Sequence, residues 1–326
     1  MINITYKVED WPLKEPFRFA GYSVEALEAI HVTATREGHE GHGEGLFAVV
    51  FPVTMAQIVK QIEGCISQVA IGADAEQCCA ALPAGAARNA LDCALWDLRA
   101  KESNQSIWAL AGLPEGPPAI KVDQTVGLDT PEAMAIAARN SSHQVIKIKL
   151  DDTDIIERVS AIRAARPDAD LIVDANLSWS VEILNSVAHP LADLGVRMIE
   201  QPVPPAQDGQ LSGVTCPLPL FADESCHVAA DVTRLKEFYQ GVNIKLDKTG
   251  GLTEALALAK AARSAGMGVM VGCMSGTSLS MAPAYIIASL SDWADLDGPL
   301  MLQSDRKPTM QYRDGDLLHY DTALWG

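Results

Sequence analysis

Two lysines at 147 and 149, three carboxylates at Asp174, Glu200 and Asp223, and a further lysine at 245 each close a short apolar, β-prone run. From Lys149 onward the steps between them are 25, 26, 23 and 22 residues. Three carboxylates brought to one point repel one another and hold on to protons unless a cation joins them. A hard divalent ion resolves this, and Mg²⁺ takes a few carboxylate oxygens while leaving positions for substrate. No His or Cys stands beside these residues, which argues against zinc. Lys147 and Lys149 are two apart on a strand and share a side. Two ammonium groups beside a metal are expected to depress each other's pKa toward that of a base. Lys245 would approach from across the mouth, so a substrate carboxylate on the ion would have its α-carbon between two lysines. Such a site suits removal of an α-proton, the ion offsetting the charge of the enolate while one lysine takes the proton. A second lysine on the other face can return it and invert the centre. Structural ion pairs are the plainer alternative, but five groups in phase with one period weigh against it.

That period is the length of a strand, a helix and two loops. Polar residues closing successive strands build the active site at the C-terminal face of a β/α barrel. Strand-like runs recur near 121–126, 144–149, 170–174, 196–200, 218–222, 242–246 and 268–272, with a weaker eighth near 293–296. Helical stretches such as PEAMAIAARN, DIIERVSAIRAAR, VEILNSVAHPLADLG, AADVTRLKEFYQ and TEALALAKAARSAG lie between them. The fold class is therefore α/β, a (β/α)7-8 TIM-type barrel over residues 116–326, whose tail is free to return to the preceding domain. Residues 1–115 read as an N-terminal α+β capping domain: strands ITYKV, VEALEAIHVTATREG and LFAVV, then helices over 54–72 and 84–103. The glycine-rich 38–45 reads as a turn that leaves His39 and His42 solvated rather than metal-bound. KEPFRFAGYS at 14–23 reads as a loop whose aromatics serve as a packing plug or a ligand lid. The Pro- and Gly-dense 111–120 marks the passage between domains.

The chain has 326 residues, of which 48% are apolar and 21% charged, which is ordinary globular composition. A net charge of −17 with 25 basic residues excludes a nucleic-acid surface. No apolar run reaches the ~18 residues of a membrane span, and the start lacks a signal pattern, so a cytoplasmic protein with no membrane partner is expected. Seven cysteines without CxxC spacing are expected to be reduced and mostly buried.

K-I-K, D-A-N, I-E-Q-P, A-D-E-S and I-K-L-D-K-T-G-G resemble the motifs of the enolase superfamily, in its muconate-lactonizing subgroup, over nearly the whole chain. The resemblance implies Asp174, Glu200 and Asp223 as ligands of one Mg²⁺ per subunit, and Lys149 and Lys245 as the acid/base pair. It implies that Lys147 tunes Lys149 and meets the substrate carboxylate, with Asn176, Glu224 and Asp247 supporting the site from behind. D-L-D-G-P at 295–299 puts Asp295 and Asp297 on one face, where they could bind an ammonium group or merely cap a turn. The pattern is similar to that of the dipeptide epimerases, where it holds the substrate's amine. Epimerisation of a dipeptide's C-terminal residue follows, L-Ala-D/L-Glu being the best-known case. Members acting on Ala-Glu resemble one another in a capping-loop arginine; here Arg18 falls early and Gly21-Tyr22 stands in its place, so the loop with Phe19 and Tyr22 suits an apolar residue equally. Cys273, Met274 and Ser275 are expected to line the same pocket. An o-succinylbenzoate synthase or cycloisomerase would not need Asp295 and Asp297. A Schiff-base lysine barrel and a non-catalytic binding barrel are the remaining readings. Barrels of this class commonly associate, so a homo-oligomer is expected.

Overall fold

The computed structural model describes residues 2–49 and 52–326. Three long antiparallel strands open the chain, β1 (Asn3–Phe19), β2 (Tyr22–Arg36) and β3 (His39–Leu46), in the order β1-β2-β3. Helices α1 (Met55–Ala70), α2 (Ala75–Ala80) and α3 (Ala86–Ser103) follow. Thr54 starts α1 through a reciprocal capping box with Gln57, and Ile58, Ile62, Cys65 and Val69 turn one stripe inward. These join Ile30, Val32, Ala34, Ala90, Leu91 and Leu98 in a core of their own.

The segment read as a glycine turn at 38–45 is most of β3. Its glycines are there for α3: a Cβ on Gly41, Gly43 or Gly45 would come within 2.3 Å of the backbone of Ala94, Ala90 or Ala86. With hydrogen there instead, the helix lies directly on the strand. His42 is accordingly half-buried, its Nδ1 3.3 Å from His31 Nε2. The segment read as a loop at 14–23 is the end of the β1–β2 hairpin, which continues after an irregularity between Pro12 and Phe17 and turns at Ala20-Gly21. Of the expected strand LFAVV only Leu46 is in β3, and Val50 lies outside the described residues.

After α4 (Ile107–Leu110) and β4 (Ala119–Lys121) the barrel begins. Its strands are β5 (Asp123–Val126), β6 (Val145–Lys149), β7 (Asp170–Asp174), β8 (Val196–Glu200), β9 (Leu220–Ala222), β10 (Gly241–Lys245), β11 (Gly268–Gly272) and β12 (Trp293–Ala294), paired in sequence order as one parallel sheet of eight. Strand-crossing helices are α5 (Pro131–Asn140), α6 (Ile155–Ala165), α7 (Val181–Asp193), α8 (Val232–Leu235), α9 (Leu246–Thr249), α10 (Leu252–Ser264) and α11 (Ser278–Ala288). The β8–β9 crossover is a 3₁₀ segment, Pro205–Leu211, and AADVTRLKEFYQ shrinks to a 3₁₀ turn plus the single turn of α8. α12 (Gly298–Met301) leads to β13 (Tyr312–Arg313) and β14 (Asp316–Leu318), which pair back onto β4. Among the described residues no helix is long and apolar enough to cross a membrane. All seven cysteines are free and five are buried.

Candidate active site

Register places the chemistry. Lys149 pairs with Asp174 and Asp174 with Glu200, so the last residues of β6, β7 and β8 form one tier at the sheet's C-terminal edge. Asp223 follows β9 directly, and Lys245 ends β10. Asp174, Glu200 and Asp223 are fully buried, and each offers a carboxylate oxygen within 4.8 Å of the others. Lys149 Nζ donates to Asp174 Oδ2 at 2.6 Å and Lys245 Nζ to Asp223 Oδ2 at 2.7 Å. β6 and β10 are four steps apart in the sheet of eight, so the two lysines enter from opposite sides of the mouth.

Lys147 lies beneath this tier, fully buried, with Nζ 2.6 Å from Asp295, 2.8 Å from Glu200 and 3.2 Å from Asp174. Burial would lower its pKa, but Asp295, Glu200 and Asp174 outweigh that and hold it well above the ordinary lysine value. Lys245 is raised likewise, Asp223 overcoming burial. Lys147 and Lys245 are thus each claimed by carboxylates, the ammonium in each case sitting beside an anion. Burial pushes Glu200 up, with Asp174 adding to it, while Asp223 stays well below the usual range because Lys245 and Lys248 outweigh its burial.

The donor set suits a hard cation. All three groups are oxygen donors, and the buried Glu200 Oε2 and Asp223 Oδ1 accept no hydrogen bond, meeting only the ammonium groups of Lys147 and Lys248 at 2.8 and 2.6 Å. Asn176 Oδ1 and Glu224 Oε2 are also buried without a hydrogen-bond partner beside them. A second group, Cys273, Asp295 and Asp297, is as compact, but burial holds the Cys273 thiol protonated, which suits it poorly as a ligand.

A cavity of about 330 Å³ opens over the tier. Lys149, Lys245, Asn176, Glu224, Cys273, Met274, Ser275, Asp295 and Asp297 line it from the barrel, and Phe17, Phe19, Leu27 and Phe47 from the capping domain. Phe19 covers Lys149, whose Nζ lies 5.8 Å from the ring centroid. The hairpin is held there by its backbone, Leu128 N–H donating to Arg18 O at 2.9 Å. Strand alternation then turns Phe17 and Phe19 inward and Arg18 outward, where it is exposed and 3.5 Å from Asp129. Tyr22 is exposed and stacks on Phe19 without lining the cavity. Asp247 also lies outside the lining; it accepts from Leu46 N–H and Asn89 Nδ2, tying β3 and α3 to the barrel.

Four residues escaped the sequence reading. Lys248, one turn after Lys245, donates to Asp223 O and to Asn243 O and meets Asp223 Oδ1. Asn243 Nδ2 donates to Glu200 Oε1 at 2.6 Å. Gln201 Oε1 accepts from Asp223 N–H and Ser225 N–H at 2.8 and 3.1 Å, fixing the turn after β9. Asp123, buried at the start of β5, is raised well above the usual carboxylate range by burial and then by Asp295 and Asp297. Lys248 stood in D-K-T-G-G and Gln201 in I-E-Q-P, both within reach of a motif reading; Asn243 and Asp123 carry no signal outside three dimensions.

Residues 1–112 match the mandelate racemase / muconate lactonizing enzyme N-terminal domain, and residues 130–318 the enolase C-terminal domain-like family. The chain is 45% identical to the L-Ala-D/L-Glu epimerase of Escherichia coli (strain K12), over 95% of this chain and 97% of that protein. It is 48% identical to an N-acetyl-D-glutamate racemase of Pseudoalteromonas sp, over 75% of this chain and 78% of that one. Among solved structures, an enolase family member from Agrobacterium tumefaciens with homology to dipeptide epimerases, holding sodium and L-Ala-L-Glu, superposes with a TM-score of 0.96 at 34% identity, each chain fully covered. A dipeptide epimerase from Enterococcus faecalis V583, complexed with Mg and L-Leu-L-Tyr, superposes with a TM-score of 0.89 at 27% identity over 98% of this chain and 97% of that one. With a carboxylate tier flanked by opposed lysines and both domains matched, the chain belongs to the enolase superfamily, in its mandelate racemase / muconate lactonizing branch.

Proposed function

We propose that this enzyme epimerises the α-carbon of the C-terminal residue of a dipeptide by proton transfer between two lysines. The observation that carries the reading is the placement of Lys149 and Lys245 on opposite strands, both in the cavity lining and both beside the carboxylate tier. Asp174, Glu200 and Asp223 would hold one Mg²⁺ per subunit. Bound there, the ion supplies positive charge for the substrate carboxylate and for the charge that builds as the α-proton leaves. Lys147, beneath Glu200 and Asp174, adds fixed positive charge at the same place. One lysine removes the proton from one face of the α-carbon, and the other delivers a proton to the opposite face, which inverts it. Phe19, its ring centroid 5.8 Å from Lys149 Nζ, would shield that side from water. Asp295 and Asp297, which also line the cavity, would take the α-ammonium group.

A second reading, racemisation of an N-acylated amino acid, draws on the 48% identity to the N-acetyl-D-glutamate racemase and on Asp295, which Lys147 already pairs at 2.6 Å. Both share the lysine chemistry. Among the described lining residues the cations are Lys149 and Lys245, and the capping wall is largely apolar, so the test must span acidic and apolar side chains. A library of L,L-dipeptides and N-acetyl amino acids would be incubated with Mg²⁺ in D₂O and followed by α-deuterium uptake and loss of optical rotation. The proposal expects uptake with inversion for dipeptides, abolished by EDTA. Lys149→Ala and Lys245→Ala should each lower epimerisation by about 10²- to 10⁴-fold, each still able to exchange one stereoisomer. Full racemising activity in both variants would rule out the two-base mechanism. Turnover of N-acetyl amino acids alone would favour the second reading, and a borohydride-trapped adduct formed in EDTA would replace both.

A further inference from the structure

Glu44 stands outside the cavity lining, on β3 of the capping domain, and is almost fully buried. Its Oε1 accepts from Thr277 N–H at 3.0 Å, and its Oε2 from Thr277 Oγ1 at 2.6 Å and from Arg306 Nε and Nη2 at 2.9 and 2.7 Å. Arg306 reaches on to Glu9 Oε2 at 2.5 Å and lies 5.0 Å from the ring centroid of Trp11, both on β1. The adjoining Asp305 accepts from Ser278 N–H at 2.9 Å. One buried carboxylate thus gathers a capping strand, the chain after α12 and the N-terminal end of α11. A buried ion pair of this kind adds little net stability compared with apolar packing; fixing a register is its better-attested use.

The register fixed here bears on the cavity. Cys273, Met274 and Ser275 span the few residues between the end of β11 and Thr277, and Ser275 is left-handed at φ +52°. This turn is packed in file between two glycines' worth of space. A Cβ on Gly276 would lie 2.7 Å from Leu46 Cδ1, and one on Gly298 would lie 2.6 Å from Gly276 N. Gly298 directly follows Asp297. A displacement of β3 therefore passes through the 275–276 turn to the Asp295–Asp297 end of the cavity, and Leu46 itself runs straight into the lining residues Phe47, Ala48 and Val49. We infer that Glu44 and Arg306 are positioning residues that set the substrate-binding wall of the cavity by clamping the capping domain to residues 275–277, without touching substrate. The inference rests on the proposed reaction only for what the wall binds.

The test uses Glu44→Gln, Arg306→Ala and Arg306→Lys in the full chain, with two readouts. Hydrogen–deuterium exchange of the peptide covering 273–280 should be faster in Glu44→Gln and Arg306→Ala while the strands β6–β8 stay protected. KM for the best dipeptide should rise about tenfold or more with kcat within about threefold of the wild type, since a displaced wall weakens positioning while leaving the lysines in place. Arg306→Lys keeps the charge but not the two-nitrogen grip, and its KM should fall between those of the wild type and Arg306→Ala. Equal KM in all variants, a fall in kcat with KM unmoved, or exchange that rises evenly over the chain would each overturn the inference. Exchange needs no substrate, so a wild type that turns over no dipeptide would sink the proposed reaction and leave the clamp measurable.

Discussion

Asp297 accepts the Thr125 N–H at 2.7 Å, and its pKa is pushed up to about 7 by burial and then by Asp295. A carboxyl raised to that point is ionised above about pH 7 and takes a proton below it. If Asp297 holds the α-ammonium group of a dipeptide, affinity is lost as pH falls through that value. KM for a dipeptide should then rise on the acid side by up to about tenfold per pH unit, and Asp297→Asn should raise KM at neutral pH and flatten the slope. An N-acetyl amino acid has no ammonium group, so its KM should lack the slope. A pH series of initial rates with both substrates on one preparation reads the difference, and a dipeptide KM flat between pH 6 and 8, a window of about one unit either side, would remove Asp297 from amine binding. Lys149, Asp174, Glu200, Asp223 and Lys245 were legible in the sequence because each closes or directly follows a strand, at steps of 22 to 26 residues. Arg18, which falls early in the capping loop, faces away from the cavity for a local reason: strand alternation sends neighbouring side chains to opposite faces.

At the scale of elements, the eight barrel strands fall within a residue or two of the runs read from sequence, because a strand buried on both faces has to be a short apolar run. β3 was hidden for the opposite reason. Its G-H-E-G-H-G-E-G has little side chain to show an alternation, and the alternation is present as absence: Gly41, Gly43 and Gly45 all face α3. Each missing Cβ admits a helix backbone, a property of two elements that neither displays alone. Gly43 is the sharpest case, since a Cβ there would lie 2.1 Å from Ala90 O, which is backbone and cannot swing aside. Gly43→Ala should destabilise the chain by about 1–3 kcal/mol through overpacking. Gly64→Ala, with open space around its Cβ on α1, should be neutral or slightly stabilising. Urea unfolding of the two variants against the wild type checks both, and equal midpoints would mean that α3 does not bear on β3 as closely as its backbone indicates.

The molecule as a whole is held by a chain that goes back to where it started. After the barrel, Leu302 pairs with Leu13, β14 pairs with β4, and Trp325, fully buried, donates its Nε1–H to Cys93 O of α3 at 3.0 Å. Gly326 N–H donates to Asp97 Oδ1 at 2.7 Å, while Asp97 Oδ2 takes the His42 N–H of β3 at 2.7 Å. Tyr320 stands between Trp325 and the barrel's Tyr285 with ring centroids 6.3 and 5.8 Å away. The capping domain is thereby fastened to the barrel on two fronts, near the cavity through Asp247 and Glu44 and behind it through the last residues. A buried tryptophan replaced by alanine loses its transfer free energy and leaves a cavity, so Trp325→Ala should cost about 3–5 kcal/mol. Because those contacts bridge two cores, the loss should also show in cooperativity. The wild type is expected to unfold in urea as one transition by both tryptophan fluorescence and far-ultraviolet circular dichroism. Trp325→Ala should separate the two probes, with a lower m value for the first step as one core opens ahead of the other. Coincident transitions in the variant, merely shifted, would assign Trp325 to packing alone and leave the coupling to the domains' other contacts, those of Glu44 and Asp247 among them.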